Sequence, residues 1–356
     1  MFVKINFMSV IDIEREIQKY ILLKPKDLII SDLKWKYLIR SIMRAKNIMI
    51  IGPSGCAKTM AARYASHAFY DIEKIIIKDK NELIKLRNNL NIEILQNDEK
   101  LSELTIKKYT RPFYIFNCGG GQDARATLIG NTSYNKELGT HFNESEFVKA
   151  IKTSNAIILL DEFTRGSHDF WNILFPVLDS TQRTLRLDEK DNSPVIKVAD
   201  GVTFIATANI GNEFTSTRVL DKALLRRFPI RLEMSPLTGK ELYSLFQLKF
   251  ENCTSIQDST FKKLCKIYDD LIHQTKLEDA SITTFISPAN FMEMAELVID
   301  GFVLEEIVEA AIYPEYPDDG GADSERSFVK SIVQKYIDND IPNPVKDPLK
   351  NKKNKS

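Results

Sequence analysis

Cysteine is scarce in this 356-residue chain: Cys56, Cys118, Cys253 and Cys265 are scattered, with no CxxC pair. That excludes a disulfide framework and a thiolate zinc site, and it fits reduced thiols in a cytoplasmic protein. Histidine is equally sparse, and His67, His141, His168 and His273 are too dispersed to read as a ligand set. Long apolar runs are missing as well. A membrane span needs ~20 apolar residues, whereas Ile48–Ile51 and Ile157–Leu160 have the length of buried strands. Net charge of one sign is absent, because Lys+Arg and Asp+Glu both number 49. No global positive field therefore argues for nucleic acid. What remains is ordinary: 43% hydrophobic and 28% charged residues, enough for one large α/β domain and a smaller one.

Residues 10–46 read as amphipathic helix, interrupted at Lys24-Pro25-Lys26. Five apolar runs then predict strands: Asn47–Ile51, Phe113–Cys118, Ala156–Leu160, Val202–Ala206 and Phe228–Met234. Helical or irregular stretches separate them, which implies a parallel sheet covered on both faces. Residues 71–111 are rich in Lys, Asn, Asp and Glu and read as an insertion, part helical and largely solvated. A helix carries Phe170, Trp171, Leu174, Phe175 and Leu178 on one face, and Pro176 is expected to kink or shorten it. Thr184–Ala199 alternates around a charged tip and predicts a β-hairpin. From residue 239 to 337 only helical periods occur, and the tail from Pro342 reads as disordered.

Four segments carry chemistry. Gly52-Pro53-Ser54-Gly55-Cys56-Ala57-Lys58-Thr59 lies between a strand and a helix, the context of a P-loop. Backbone N–H groups of such a loop cradle phosphate oxygens, and the helix adds its positive end. Lys58 would reach the β- and γ-phosphates, and Thr59 would give its hydroxyl to Mg2+. The nucleotide-contacting stretch therefore runs Gly52, Pro53, Ser54, Gly55, Cys56, Ala57, Lys58, Thr59 and Met60, joined by Asp161. Ala57 replaces the usual glycine, which is tolerable if its backbone is helical. About 100 residues on, the apolar strand Ile157–Leu160 ends in Asp161-Glu162. Asp161 would hold Mg2+, and Glu162 would act as general base toward water. A third strand ends at Asn209, which can contact the attacking water or the γ-phosphate; by itself it could equally cap a turn. Finally, Leu220–Phe228 delivers Arg226 and Arg227 ahead of the last strand. Either could stabilise charge on a neighbour's nucleotide, and either could be a surface ion-pair partner.

In this order the four segments resemble the AAA+ ATPases, and among them the MoxR-like and dynein-related branch. The likeness covers about residues 30–235 well and the helical part loosely. It implies a P-loop NTPase αβα sandwich with a parallel five-stranded sheet, followed by a C-terminal all-helical lid. Its domains would be an N-terminal helical extension (1–30), the AAA+ core (31–235), the lid (236–338) and a basic tail (339–356). Gly52, Gly55, Lys58 and Thr59 match Walker A; Asp161 and Glu162 match Walker B; Asn209 matches sensor 1. Arg227 matches the arginine finger, with Arg226 as rival and Arg218 as a further candidate. Asp123–Phe142 and Thr184–Ala199 fall where the branch carries pore-facing inserts, which makes Tyr134, Phe142 and the hairpin tip candidate substrate contacts. At the lid position where the family places a sensor 2 arginine, this chain has Ile286-Ser287-Pro288-Ala289-Asn290, with no arginine.

The resemblance implies an ATP- and Mg2+-dependent, ring-forming remodelling motor acting on a separate protein, of the kind that carries a von Willebrand A domain. Two alternatives stay open. A nucleic-acid motor or restriction-type subunit would draw on the Lys-rich insertion and on Lys346, Lys350, Lys352, Lys353 and Lys355. A nucleotide-gated scaffold would follow from the missing arginine.

Overall fold

The computed structural model describes residues 10–76, 84, 86, 88–89, 92–97, 103–119, 123–135, 139–209, 222–277 and 281–337. The chain divides into two compact units: residues 1–53 with 57–235, and residues 54–56 with 236–356. No helix among the described residues is long and apolar enough to cross a membrane.

The first unit opens with two helices, α1 (Val10–Ile21) and α2 (Asp32–Met43), separated around Pro25. Ser31 starts α2, its hydroxyl accepting the Lys34 amide, a group that no helical carbonyl reaches. The Trp35 indole of α2 donates to the Tyr20 carbonyl of α1 at 2.9 Å. The five expected strands form one sheet: β1 (Ile48–Ile51), β5 (Phe113–Asn117), β8 (Ile157–Asp161), β11 (Thr203–Ala208) and β12 (Ile230–Glu233). Their spatial order is β12-β1-β11-β8-β5, and every ladder is parallel. Every residue of β1 and β11 is buried, which is why these strands read as unbroken apolar runs. Helices α3 (Lys58–His67), α4 (Ala124–Leu128), α5 (Glu146–Lys152), α6 (His168–Leu178) and α7 (Lys222–Arg226) flank the sheet. The chain thus has the expected αβα arrangement, a five-stranded parallel sheet with flanking helices.

The segment 71–111 differs from the expectation. Strands β2 (Tyr70–Ile76), β3 (Ile92–Asn97) and β4 (Glu103–Tyr109) form an antiparallel sheet of order β2-β4-β3. Only Ile84 and Leu86 are helical among its described residues. The reason is a period of two that the charge-rich composition masks. Leu104 and Ile106 are buried on one face of β4, and between them and beyond them Thr105 and Lys107 point the other way. Lys107 does not simply face water: its ammonium sits over the rings of Tyr70 (4.4 Å) and Tyr109 (5.3 Å).

Pro176 does not shorten α6, which continues through it to Leu178. Two hairpins leave the core: β6 (Gly130–Asn135) with β7 (Gly139–Glu144), and β9 (Thr184–Arg186) with β10 (Val195–Lys197).

The second unit is helical: α8 (Gly239–Lys249), α9 (Ser255–Gln274), α10 (Pro288–Ile299), α11 (Leu304–Ala311) and α12 (Glu325–Ile337). Capping boxes start α8 at Thr238/Glu241 and α9 at Thr254/Gln257. Its own core includes Phe246, Phe261, Tyr268 and Phe291. The expected tail and the N-terminal residues 1–9 lie outside the described residues.

Candidate functional site

The site is assembled where neighbouring strands end. β1 runs into Gly52, β8 ends at Asp161, and β11 lies between them. Gly52 donates its amide to the Ala208 carbonyl at 3.1 Å, and a Cβ on it would stand 2.4 Å from the Met234 carbonyl oxygen. Only glycine fits there. Gly55 has φ +73°. Pro53, Ser54 and Cys56 complete the loop, and Met60 lies in the first turn of α3.

Ala57 departs from the helical backbone expected of it. Its φ and ψ are 56° and 26°, left-handed, as the N-cap of α3. A methyl in that region costs about 1–2 kcal/mol, a strain that the glycine of the usual pattern would not have.

Lys58 begins α3 and is buried. A buried ammonium requires acceptors; its Nζ donates to the carbonyls of Gly52 (2.9 Å) and Pro53 (2.5 Å). One residue on, the Thr59 hydroxyl lies 3.1 Å from both carboxylate oxygens of Asp161. Thr207, which the sequence reading left without a role, ties the strand ends together. Its register sets it beside Ile50 on β1, and its neighbour Ala206 pairs with Leu160 on β8. Its buried hydroxyl donates to Asp161 Oδ1 at 2.5 Å and accepts the Glu162 amide at 2.9 Å.

Glu162 has φ +52° and caps a 3-10 turn, Phe163–Arg165. Arg165 was also absent from the sequence reading; its Nη1 bonds both Glu162 carboxylate oxygens, at 2.9 and 2.8 Å. Their i, i+3 spacing was the available signal, because such residues eclipse in a 3-10 turn. Asn209 directly follows β11 and is partly exposed.

The two arginines before β12 part company. Arg227 turns inward: it donates to the carbonyls of Phe175 (3.2 Å) and Ala223 (2.6 Å), pairs with Asp179 (3.4 Å) and stacks over Phe175 (4.6 Å). Phe175 and Asp179 stand at the C-terminus of α6, whose negative end favours a cation. Arg226 is exposed at the end of α7. Arg218, Ile210 and Gly211 lie outside the described residues.

Of the candidate substrate contacts, Tyr134 is 74% exposed on the β6–β7 hairpin. Phe142 instead packs against the main core. Glu144 of β7 links the two hairpins by accepting from Lys190 at 2.8 Å, and Arg125 of α4 pairs with Glu189. In the helical unit, Asn290 is committed locally. Its carbonyl oxygen accepts from Ser287 at 2.5 Å, and its amide donates to Glu315 at 3.1 Å.

The donor set around Thr59 and Asp161 is all hard oxygen. Among the described residues no three His, Cys, Asp or Glu side chains gather to hold a metal alone. A hydroxyl beside a carboxylate suits Mg2+, which takes one or two protein oxygens and completes its shell with phosphate and water.

Residues 99–228 match the AAA domain of the dynein-related subfamily. A stretch of 90 residues is 42% identical to a Thauera aromatica protein named "Putative chaperone BssE", covering 25% of this chain and 30% of that protein. Among solved structures, a RuvB mutant from Thermotoga maritima aligns with TM-score 0.43 and 14% identity, over 89% of this chain and 81% of that one. A second RuvB mutant aligns at TM-score 0.41 and 12% identity, over 81% and 71%.

Proposed function

We propose that the chain is an AAA+ protein that binds and hydrolyses ATP, a reading that the match of residues 99–228 to the AAA domain of the dynein-related subfamily supports. The observation that carries this reading is the meeting of Lys58, Thr59, Asp161 and Thr207 at adjacent strand ends. Lys58 would exchange its carbonyl partners for β- and γ-phosphate oxygens. Thr59 and Asp161 would hold Mg2+, which when bound neutralises phosphate charge. Glu162 would take the proton of a water whose oxygen bonds to the γ-phosphorus as the bond to the ADP oxygen breaks. The proton then leaves with phosphate or solvent. Asn209 would orient that water.

The MoxR-like features support a cytoplasmic oligomer, a hexamer or another ring, that remodels a separate protein, one with a von Willebrand A domain being the type the resemblance suggests. The chaperone name of the Thauera aromatica relative points the same way. In such an assembly Arg226, being exposed, would be the residue that reaches a neighbour's nucleotide, and Arg227 would hold α7 to α6.

The test is ATP turnover against protein concentration, with particle mass measured on the same samples. Wild-type specific activity should rise with concentration, and Glu162→Gln should bind ATP without turning it over. Arg226→Ala should lose the concentration dependence while melting like wild type, whereas Arg227→Ala should lower the melting temperature. Turnover independent of concentration from a monomer would defeat the ring reading.

A further inference from the structure

We propose that Arg165 restrains Glu162, so that hydrolysis waits on release of this carboxylate from its own turn. The inference rests on the hydrolytic reading of Glu162 given above.

The contact is built into the chain. Arg165 N–H donates to the Glu162 carbonyl at 2.8 Å, closing the 3-10 turn, and the eclipsed geometry stacks one side chain over the other. The turn is anchored from beneath. Phe163 is fully buried, and its carbonyl accepts the Trp171 indole at 3.1 Å. At its start, the Glu162 amide is held by Thr207. The pair is therefore not two long side chains meeting by chance on a mobile surface.

The arginine engages both oxygens from a single nitrogen, 2.8 and 2.9 Å away. A carboxylate that removes a proton from water must offer an oxygen lone pair along the direction of that water. Here a charge-assisted bond to each oxygen sets the direction instead. Gly119 lies close to the same carboxylate. A Cβ on Gly119 would stand 3.3 Å from Glu162 Oε2 and 2.9 Å from Asn117 Oδ1. The Asn117 oxygen is itself occupied by the Gly119 amide, at 2.7 Å. Among the described residues, Arg165 is the side chain that bonds the Glu162 carboxylate.

Because the pair is partly open to solvent, at 38% and 31% side-chain exposure, the arginine can swing away without unfolding the turn. Arg165 is then a positioning residue acting through Glu162, and its loss should raise kcat and leave nucleotide binding alone.

The experiment uses the full chain and ATP, with a fluorescent ATP analogue to measure affinity. Arg165→Ala should raise kcat three- to tenfold, with KM and analogue affinity within twofold of wild type. Arg165→Lys keeps the charge on a shorter side chain that places its nitrogen farther from the carboxylate; it should raise kcat about twofold, and it covers the case in which Arg165→Ala folds poorly. Independently of turnover, Arg165 should resist phenylglyoxal in wild type and become reactive in Glu162→Gln, read by peptide mass. Unchanged or reduced kcat in both arginine variants, beside an inactive Glu162→Gln, overturns the restraint alone. Wild-type turnover by Glu162→Gln overturns the base assignment and the restraint with it. Equal phenylglyoxal labelling in both proteins overturns the contact itself.

Discussion

Replacing Thr207 with valine removes one hydroxyl and keeps the shape of the side chain. In the native structure that hydroxyl donates to Asp161 at 2.5 Å and accepts the Glu162 amide at 2.9 Å. A hydrogen bond to a charged group contributes about 1.5–3 kcal/mol, and an amide left unpaired away from water costs about 1–3 kcal/mol. The two losses share one atom and do not add in full, so Thr207→Val should cost about 2–4 kcal/mol. Thr207→Ser keeps both bonds and loses one buried methyl, which should cost about 1 kcal/mol. Urea unfolding followed by tryptophan fluorescence suits the comparison, because both tryptophans, Trp35 and Trp171, lie in the unit that holds Thr207. If the valine variant proves as stable as the serine variant, the hydroxyl is not the tie between β8 and β11 argued here.

Three further outcomes follow from local geometry. Ala57→Gly should stabilise the first unit by about 0.5–1 kcal/mol, the left-handed strain relieved less the entropy glycine adds to the unfolded chain, read from the same urea curves; destabilisation would contradict the assigned backbone. Burial pushes the Cys265 thiol up to about 12 and that of Cys118 well above its ordinary range, and the thiolate is the reacting form. Iodoacetamide at pH 8 should therefore label Cys253, which is partly exposed, before either of them in peptide maps. Glu144 is held below the usual carboxylate range by hydrogen bonds from Lys152 and then Lys190. Folding thus favours its ionised form, and the stability gained is present above the unfolded value of about 4.3 and lost as pH falls through the folded one. Wild type should exceed Glu144→Gln by under about 1 kcal/mol at neutral pH, and the difference should vanish as pH falls below the folded value.

Helices broken at Pro25, five apolar strands and a charged hairpin were all legible in the sequence, because each leaves a local pattern of residue types: a proline break, an apolar run or an alternation. The loop that follows β1 was legible too: Gly52, Lys58 and Thr59 lie within eight residues of one another, with a strand before them and a helix after them. The segment 71–111 was misread because alternation over β4 is short and its polar face is rich in charge. Leu104 and Ile106 show their period only when a neighbouring strand is there to pair with. Ala57 was misjudged because a backbone angle is imposed by the loop as a whole and not by the residue.

Residue identity alone therefore determined which charged and polar groups were available to the proposed site, and which strands would carry them. The tertiary structure decided which groups meet. Thr207 lies 46 residues from Asp161, and only the strand order β1-β11-β8 brings its hydroxyl between the loop and the carboxylate. Arg226 and Arg227 are neighbours of the same type, and what separates them is the C-terminus of α6, which captures one guanidinium and leaves the other in solvent. Sequence order cannot encode that difference, since it depends on the direction in which a helix end points after the sheet has closed.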